Sequence, residues 1–93
     1  MPERSVTIAS KVGLHARPAA IFVKAASEQP ATVTIVKAGS GVDPVDASSI
    51  LGIMTLGAEF GDEVILSSDG EGSEDALDAL AALLATDLDA DEA

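Results

Sequence analysis

The chain of 93 residues contains no cysteine, tryptophan or tyrosine, two phenylalanines and a single histidine. Without cysteine there is no disulfide framework, no thiolate chemistry and no cysteine metal site. A metal site would have to combine one histidine with carboxylates, so we do not expect one. No apolar run reaches the roughly 18–20 residues of a membrane span, and the N-terminus lacks an apolar signal region. We therefore expect a cytoplasmic protein without membrane insertion.

Basic residues are scarce and unevenly placed. The chain has five Lys and Arg residues against sixteen Asp and Glu residues, a net charge of −11. Residues 1–37 hold all five bases and two acids, a net charge of +3, whereas residues 38–93 hold fourteen acids and no base. Because binding to a phosphate backbone needs a positive surface, we expect no nucleic-acid partner. The positive charge is concentrated around the only histidine.

The first half of the chain predicts short elements with clear ends. Alternation in SVTIAS places Val6 and Ile8 on one face of a strand. Apolar residues recur at helical spacing from residue 16 to about residue 27, which predicts a helix. Residues 31–38 alternate again and predict a second strand. A third, short strand is expected at residues 42–45, confined to a sheet edge or a bulge by its proline.

The second half predicts two helices and a strand. Residues 48–56 favour a brief helix that either Ser48 or Ser49 could cap. Residues 61–68 predict a strand. A longer helix follows, with Ser73 as its N-cap, acidic residues in its first turn and an apolar stripe. That stripe consists of Leu77, Leu80 and Leu84.

This β-α-β-β-α-β-α order predicts an α+β fold. We expect an open-faced β-sandwich, in which a four-stranded, mostly antiparallel sheet carries three helices on one face. A chain of this length forms one small core, so we assign residues 1–88 to a single domain and residues 89–93 to an acidic tail.

The histidine, His15, stands at the predicted start of the first helix. Gly13 permits an unusual backbone angle there, and Pro18 is tolerated in a first helical turn. The amide groups of Ala16 and Arg17 lack intrahelical acceptors, and the helix dipole adds about half a positive charge, so an anion is favoured. Arg17 suits phosphate oxygens, and positive surroundings favour a neutral imidazole. These features are typical of a histidine that accepts a phosphoryl group.

The stretch GLHARPA, residues 13–19, resembles the active-site signature of HPr, the histidine-containing phosphocarrier of the bacterial phosphoenolpyruvate-dependent sugar phosphotransferase system. SSILGIMTLGAEFGDEV, residues 48–64, resembles the second signature region of that family. The resemblance implies that His15 accepts a phosphoryl group from phosphorylated Enzyme I and passes it to IIA domains of sugar permeases. It also implies that Arg17 steadies the phosphohistidine and that no cofactor is needed.

The resemblance extends to a regulatory position. It implies that Ser49 is the residue that a serine kinase and phosphatase would modify in some bacteria. The alternative is that Ser49 is a helix cap only, a role that Ser48 could fill equally well.

The resemblance further implies a docking surface for the two partner proteins. It would consist of Ala20, Lys24, Ile50, Leu51 and Met54, beside the active histidine. The apolar members could instead belong to the core, an alternative that the sequence leaves open. A small carrier that binds two proteins in turn suits a modest, transient interface, and we expect a monomer.

Two other functions compete with a phosphocarrier. A regulatory relative would keep the fold without the transfer chemistry, although His15 together with Arg17 weighs against it. An acyl carrier protein would need Asp directly before Ser, and in VDASSILG this adjacency is broken by Ala47. An acyl carrier is also a helix bundle, whereas three segments of this chain are strand-like.

Overall fold

The structure is a computed structural model that describes residues 2–9, 13, 16–39, 41 and 43–86. Over these residues the elements follow the predicted β-α-β-β-α-β-α order. The strands are β1 (Glu3–Thr7), β2 (Val33–Lys37), β3 (Val45–Asp46) and β4 (Glu63–Ser68). The helices are α1 (Ala16–Ser27), α2 (Ile50–Leu56) and α3 (Ser73–Leu84).

The four strands form one sheet in the order β1-β4-β2-β3. Each neighbouring pair is antiparallel, and β4 lies between β1 and β2. Val64 of β4 is opposite Val6 of β1, and Leu66 of β4 is opposite Ile35 of β2. Because side chains alternate along a strand, Val64 and Leu66 point to the same face and are buried there. The prediction of a mostly antiparallel sheet is confirmed.

The hydrophobic core lies between the inner face of the sheet and the helices. Its large buried side chains come from all three helices and from the strands: Ile8, Phe22, Ile35, Ile53, Val64, Leu66, Leu77, Leu80 and Leu84. The other face of the sheet carries hydroxyl side chains such as Ser5, Thr34 and Ser67. The predicted open-faced α+β sandwich is therefore confirmed, and the fold is not the helix bundle that an acyl carrier protein would require.

The third strand differs from the prediction of residues 42–45. It consists of Val45 and Asp46, which pair with Ile35 and Thr34 of β2. The described pairing begins just after Pro44, because proline has no N–H to donate to a ladder. Residue 42 lies outside the described residues.

The start of α3 also differs from the prediction. Ser73 is not the N-cap but the first helical residue, and it is buried. Gly72 takes the cap position in the left-handed region at φ 83°, where a side chain would be strained. A Cβ on Gly72 would lie 2.9 Å from Cγ of Pro30, so the close packing of two loops requires glycine. The predicted acids, Glu74 and Asp75, do occupy the first turn.

The helices of the described residues are 7 to 12 residues long. None of them is both long and apolar enough to cross a membrane. The predicted acidic tail, residues 89–93, lies outside the described residues, so the domain boundary stays a prediction.

Candidate functional site

The first helix begins at the position that the sequence predicts. The helix starts at Ala16, directly after His15, which itself lies outside the described residues. Gly13 is buried and adopts a φ of 75°, the left-handed conformation that glycine was expected to provide. Pro18 is fully buried in the first turn. That turn contains no acidic residue, so no carboxylate of the turn itself interacts with the positive end of the helix dipole.

The solvent side of α1 forms a stripe with basic ends. Arg17, Ala20 and Lys24 are all exposed, and their spacing of three and four residues places them on one face of the helix. Ala19 and Phe22 are fully buried on the opposite face. The structure therefore brings the predicted residues Arg17, Ala20 and Lys24 together on one surface.

Backbone hydrogen bonds fix the chain where it leaves β1 toward α1. The amide of Ile8 donates to the carbonyl of Asp62 at 2.8 Å, and the amide of Gly61 donates to the carbonyl of Ile8 at 3.0 Å. The amide of Ala9 donates to the carbonyl of Leu84 at 3.1 Å. The loop after α2 and the end of α3 thus both hold the chain just before the loop that leads to α1.

The N-terminus of α2 distinguishes the two candidate caps. Ser49 has an extended backbone, and its hydroxyl oxygen accepts a hydrogen bond from the amide of Gly52 at 3.1 Å. Ser48 donates instead to Oδ1 of Asp46, from its hydroxyl at 2.7 Å and its amide at 2.9 Å. These two bonds, the hydroxyl bond first, lower the pKa of Asp46. Ser49 is therefore the N-cap, and Ser48 closes the turn that precedes it.

Three apolar side chains of α2 face solvent. Leu51 is 76% exposed, and Ile50 and Met54 are each 44% exposed. The inward side of the helix is formed by Ile53 and Leu56, which are buried. The alternative that the three solvent-facing residues belong to the core is therefore wrong. Since α1 and α2 pack against each other, two neighbouring helices present the basic stripe and the apolar cluster.

Sequence reasoning missed one exposed aromatic residue near this region. Phe60 is 58% exposed in the loop between α2 and β4. It lies between Gly57 and Gly61, whose φ angles of 71° and 87° mark a loop with left-handed turns. The two glycines indicate a loop but not which of its apolar residues is exposed, since Ala58 in the same loop is fully buried.

The described residues contain no cluster of metal ligands, and they form a small cleft away from the start of α1. No group of three or more His, Cys, Asp or Glu side chains among them could hold a metal ion. A cleft of about 140 Å³ lies beside the C-terminal end of α1, where its walls include Ala26, Pro30 and Asp46. That end of α1 is opposite the end that begins at Ala16.

Comparison with known proteins finds similarity along nearly the whole chain. A family model described as "PTS HPr component phosphorylation site" matches residues 2–86. Phosphocarrier protein HPr of Streptomyces coelicolor is 49% identical, over 96% of this chain and 94% of that protein. HPr-like protein Crh of Bacillus subtilis is 42% identical, over 88% and 93%. The crystal structure of HPr-C-His from Thermoanaerobacter tengcongensis matches with a TM-score of 0.81 and 43% identity, over 90% and 91%.

Proposed function

The chain belongs to the HPr family of phosphocarrier proteins, and we propose that it carries a phosphoryl group on His15 from phosphorylated Enzyme I to IIA domains of sugar permeases. The start of α1 is the observation that carries this proposal. The helix begins at Ala16, immediately after the histidine, and its first turn has no acid. The outward-directed N–H groups and the dipole of such a helix end attract an anion.

The chemistry needs one nucleophile and a binding site for charged oxygens. An unprotonated ring nitrogen of His15 attacks phosphorus, and the bond from phosphorus to the donor breaks as its electron pair returns to the donor. The amides of Ala16 and Arg17 and the Arg17 guanidinium stabilise the charge on the three equatorial oxygens. In transfer to a IIA domain, a nucleophile of that domain attacks phosphorus, and the bond between phosphorus and the His15 nitrogen breaks as its electron pair returns to the ring. The carrier itself therefore consumes neither water nor a cofactor.

The same surface serves both partners. We call it the docking face, and it consists of Ala20, Lys24, Ile50, Leu51 and Met54. All five residues are exposed on two neighbouring helices, with apolar side chains on α2 and a basic residue at the rim on α1. A flexible thioether such as that of Met54 can repack against different partners. A small face of this kind suits the brief encounters that a carrier needs.

Ser49 is the proposed control point, modified by a serine kinase and restored by a phosphatase. Its hydroxyl caps α2, directly before Ile50 and Leu51 of the docking face. A phosphate would bring about −1.5 to −2 charges to this apolar surface and weaken docking by desolvation and repulsion. Ser48 serves as the comparison, since its hydroxyl already donates to Asp46.

The proposed carrier is a cytoplasmic monomer that binds its partners in turn. Sedimentation at the concentration used for transfer assays measures the oligomeric state, and a mass near the chain's 9.3 kDa is expected.

Phosphoryl transfer from phosphoenolpyruvate tests the function. The protein is incubated with a bacterial Enzyme I and labelled phosphoenolpyruvate, and the carrier is expected to take up label that acid removes and alkali leaves. His15→Ala should abolish the label without unfolding the protein, which thermal denaturation checks. Arg17→Ala should slow transfer and shorten the lifetime of the phosphorylated carrier. Label that persists in His15→Ala would contradict the mechanism, and an unlabelled wild-type protein would favour the regulatory alternative.

A further inference from the structure

A lysine of the sheet forms a hydrogen bond at the C-terminal end of α2, the helix that carries the apolar part of the docking face. Nζ of Lys37, the last residue of β2, donates to the carbonyl oxygen of Gly57 at 3.3 Å. The same nitrogen lies 3.3 Å from Oδ2 of Asp62. That carboxylate oxygen also accepts a hydrogen bond from the amide of Glu59 at 2.9 Å. We call this arrangement the Lys37 tether, because one ammonium joins the end of α2 to the loop before β4.

Helix α2 depends on its supports more than a longer helix would. It has seven residues and buries only the side chains of Ile53 and Leu56. Its middle rests closely on β3, since a Cβ on Gly52 would lie 3.1 Å from Cβ of Val45. The Ser49 cap fixes one end, and Gly57 ends the helix in the left-handed conformation at φ 71°. The β2–β3 hairpin therefore supports the middle of α2 through β3 and its C-terminal end through the tether.

The tether also reaches the chain that leads to the proposed nucleophile. The hydrogen bond from the Glu59 amide, together with Lys37, lowers the pKa of Asp62, so this carboxylate is ionised at neutral pH. The backbone of the same loop exchanges two hydrogen bonds with Ile8, at the end of β1. The tether thus links α2 to a loop that also fixes the entry to the His15 segment.

We propose that Lys37 is a positioning residue for partner docking, which holds the exposed apolar side of α2 in the orientation that Enzyme I and IIA domains bind. The inference rests on the proposed function, because it assigns a residue that acts on the docking face without belonging to it. Lys37 acts on binding and not on the chemical step, because its own contacts are with Gly57 and Asp62. The backbone hydrogen bonds that join this loop to Ile8 do not involve the Lys37 side chain. Methionine at this position keeps the length of the apolar stem and removes the ammonium.

Arg4 provides a matched control on the other side of the molecule. Its side chain is 34% exposed and that of Lys37 is 35% exposed. Nε of Arg4 lies 2.9 Å from Oδ1 of Asp78, and a second guanidinium nitrogen lies 3.7 Å from Oε1 of Glu74. Arg4→Met therefore removes an equally exposed cation and its carboxylate contacts from β1 and α3, without touching α2.

The experiment measures phosphoryl transfer from Enzyme I as a function of carrier concentration. Lys37→Met is expected to raise KM by about threefold to fivefold, because a partly exposed ion pair changes an equilibrium by no more than about that factor. The rate at saturating carrier should stay unchanged. Lys37→Arg should restore most of the loss, since a guanidinium can contact both acceptor oxygens. Arg4→Met should leave both KM and the saturating rate unchanged.

Two outcomes would overturn the inference. One is a KM for Lys37→Met equal to that of the wild type. The other is an equal rise for Arg4→Met, which would indicate a general loss of stability. If Lys37→Met does not fold, Asp62→Asn takes its place, because it removes the charge and keeps an oxygen that can accept from the Glu59 amide. A wild-type protein that takes no label refutes the proposed function, whereas a labelled wild type with an unaffected Lys37→Met refutes the tether alone.

Discussion

Leu51→Glu is the sharpest test of the docking face, because it changes binding without a reason to change folding. Leu51 is 76% exposed in the first turn of α2, so the fold loses little buried surface when it is replaced. Leucine and glutamate have similar helix propensities, and an acid in the first turn interacts favourably with the helix dipole. The free energy of unfolding should therefore change by no more than about 0.5 kcal/mol.

The expected loss of binding follows from the exposed fraction of the side chain. Complete burial of a leucine contributes about 1.5–3 kcal/mol, and about three quarters of that remains for a partner to gain, or ~1–2 kcal/mol. This corresponds to a roughly 5- to 30-fold rise in KM for transfer from Enzyme I. Desolvation of the new carboxylate adds to the loss.

The assay titrates the carrier into phosphorylated Enzyme I and, separately, transfers label from the carrier to a IIA domain. Ala79→Glu is the matched control, since Ala79 is exposed on α3 and the substitution changes the net charge equally. Leu51→Glu should impair transfer with both partners, and Ala79→Glu with neither. Unchanged transfer in Leu51→Glu, or equal impairment in the control, would refute the docking face as assigned.

Two further predictions concern stability. Ser49→Ala should lower the free energy of unfolding by about 1 kcal/mol, or the Tm by roughly 4–8 °C, because the α2 cap is lost. Ser48→Ala should cost less, and equal losses in thermal denaturation would contradict the cap assignment. Asp62→Asn should lower the Tm at pH 7, and the difference from wild type should disappear as the pH falls below about 4, since a lowered carboxyl pKa stabilises the fold only while the group is ionised.

The order of elements could be predicted because each segment carries its own periodicity. The spacing of buried residues in α1 is a local property, and the alternation of Val64 and Leu66 in β4 is another. The start of α1 could be predicted for the same reason. Gly13 and Pro18 determine local backbone geometry whatever the rest of the chain does.

The features that could not be predicted depend on contacts between distant segments. Gly72 rather than Ser73 caps α3 because a Cβ there would meet Pro30, more than forty positions earlier in the chain. The contact between Lys37 and Gly57 forms only when the chain has folded, because the two residues lie on different elements. The sequence leaves the exposure of Leu51 open for a related reason. A seven-residue apolar helix has no period long enough to show which side faces the core, and the structure assigns that side to Ile53 and Leu56.

In a protein of net charge −11, the first turn of α1 contains no acidic residue. Of the basic residues that the structure describes, Arg4 and Lys37 contact carboxylates of α3 and the α2–β4 loop. Arg17 and Lys24 lie on the exposed side of α1, Arg17 in its first turn and Lys24 in its last. At physiological ionic strength charges more than about 8 Å apart are largely screened. Under the proposed function, a phosphoryl group approaches the first turn of α1, whose dipole and lack of acids favour an anion whatever the net charge of the chain.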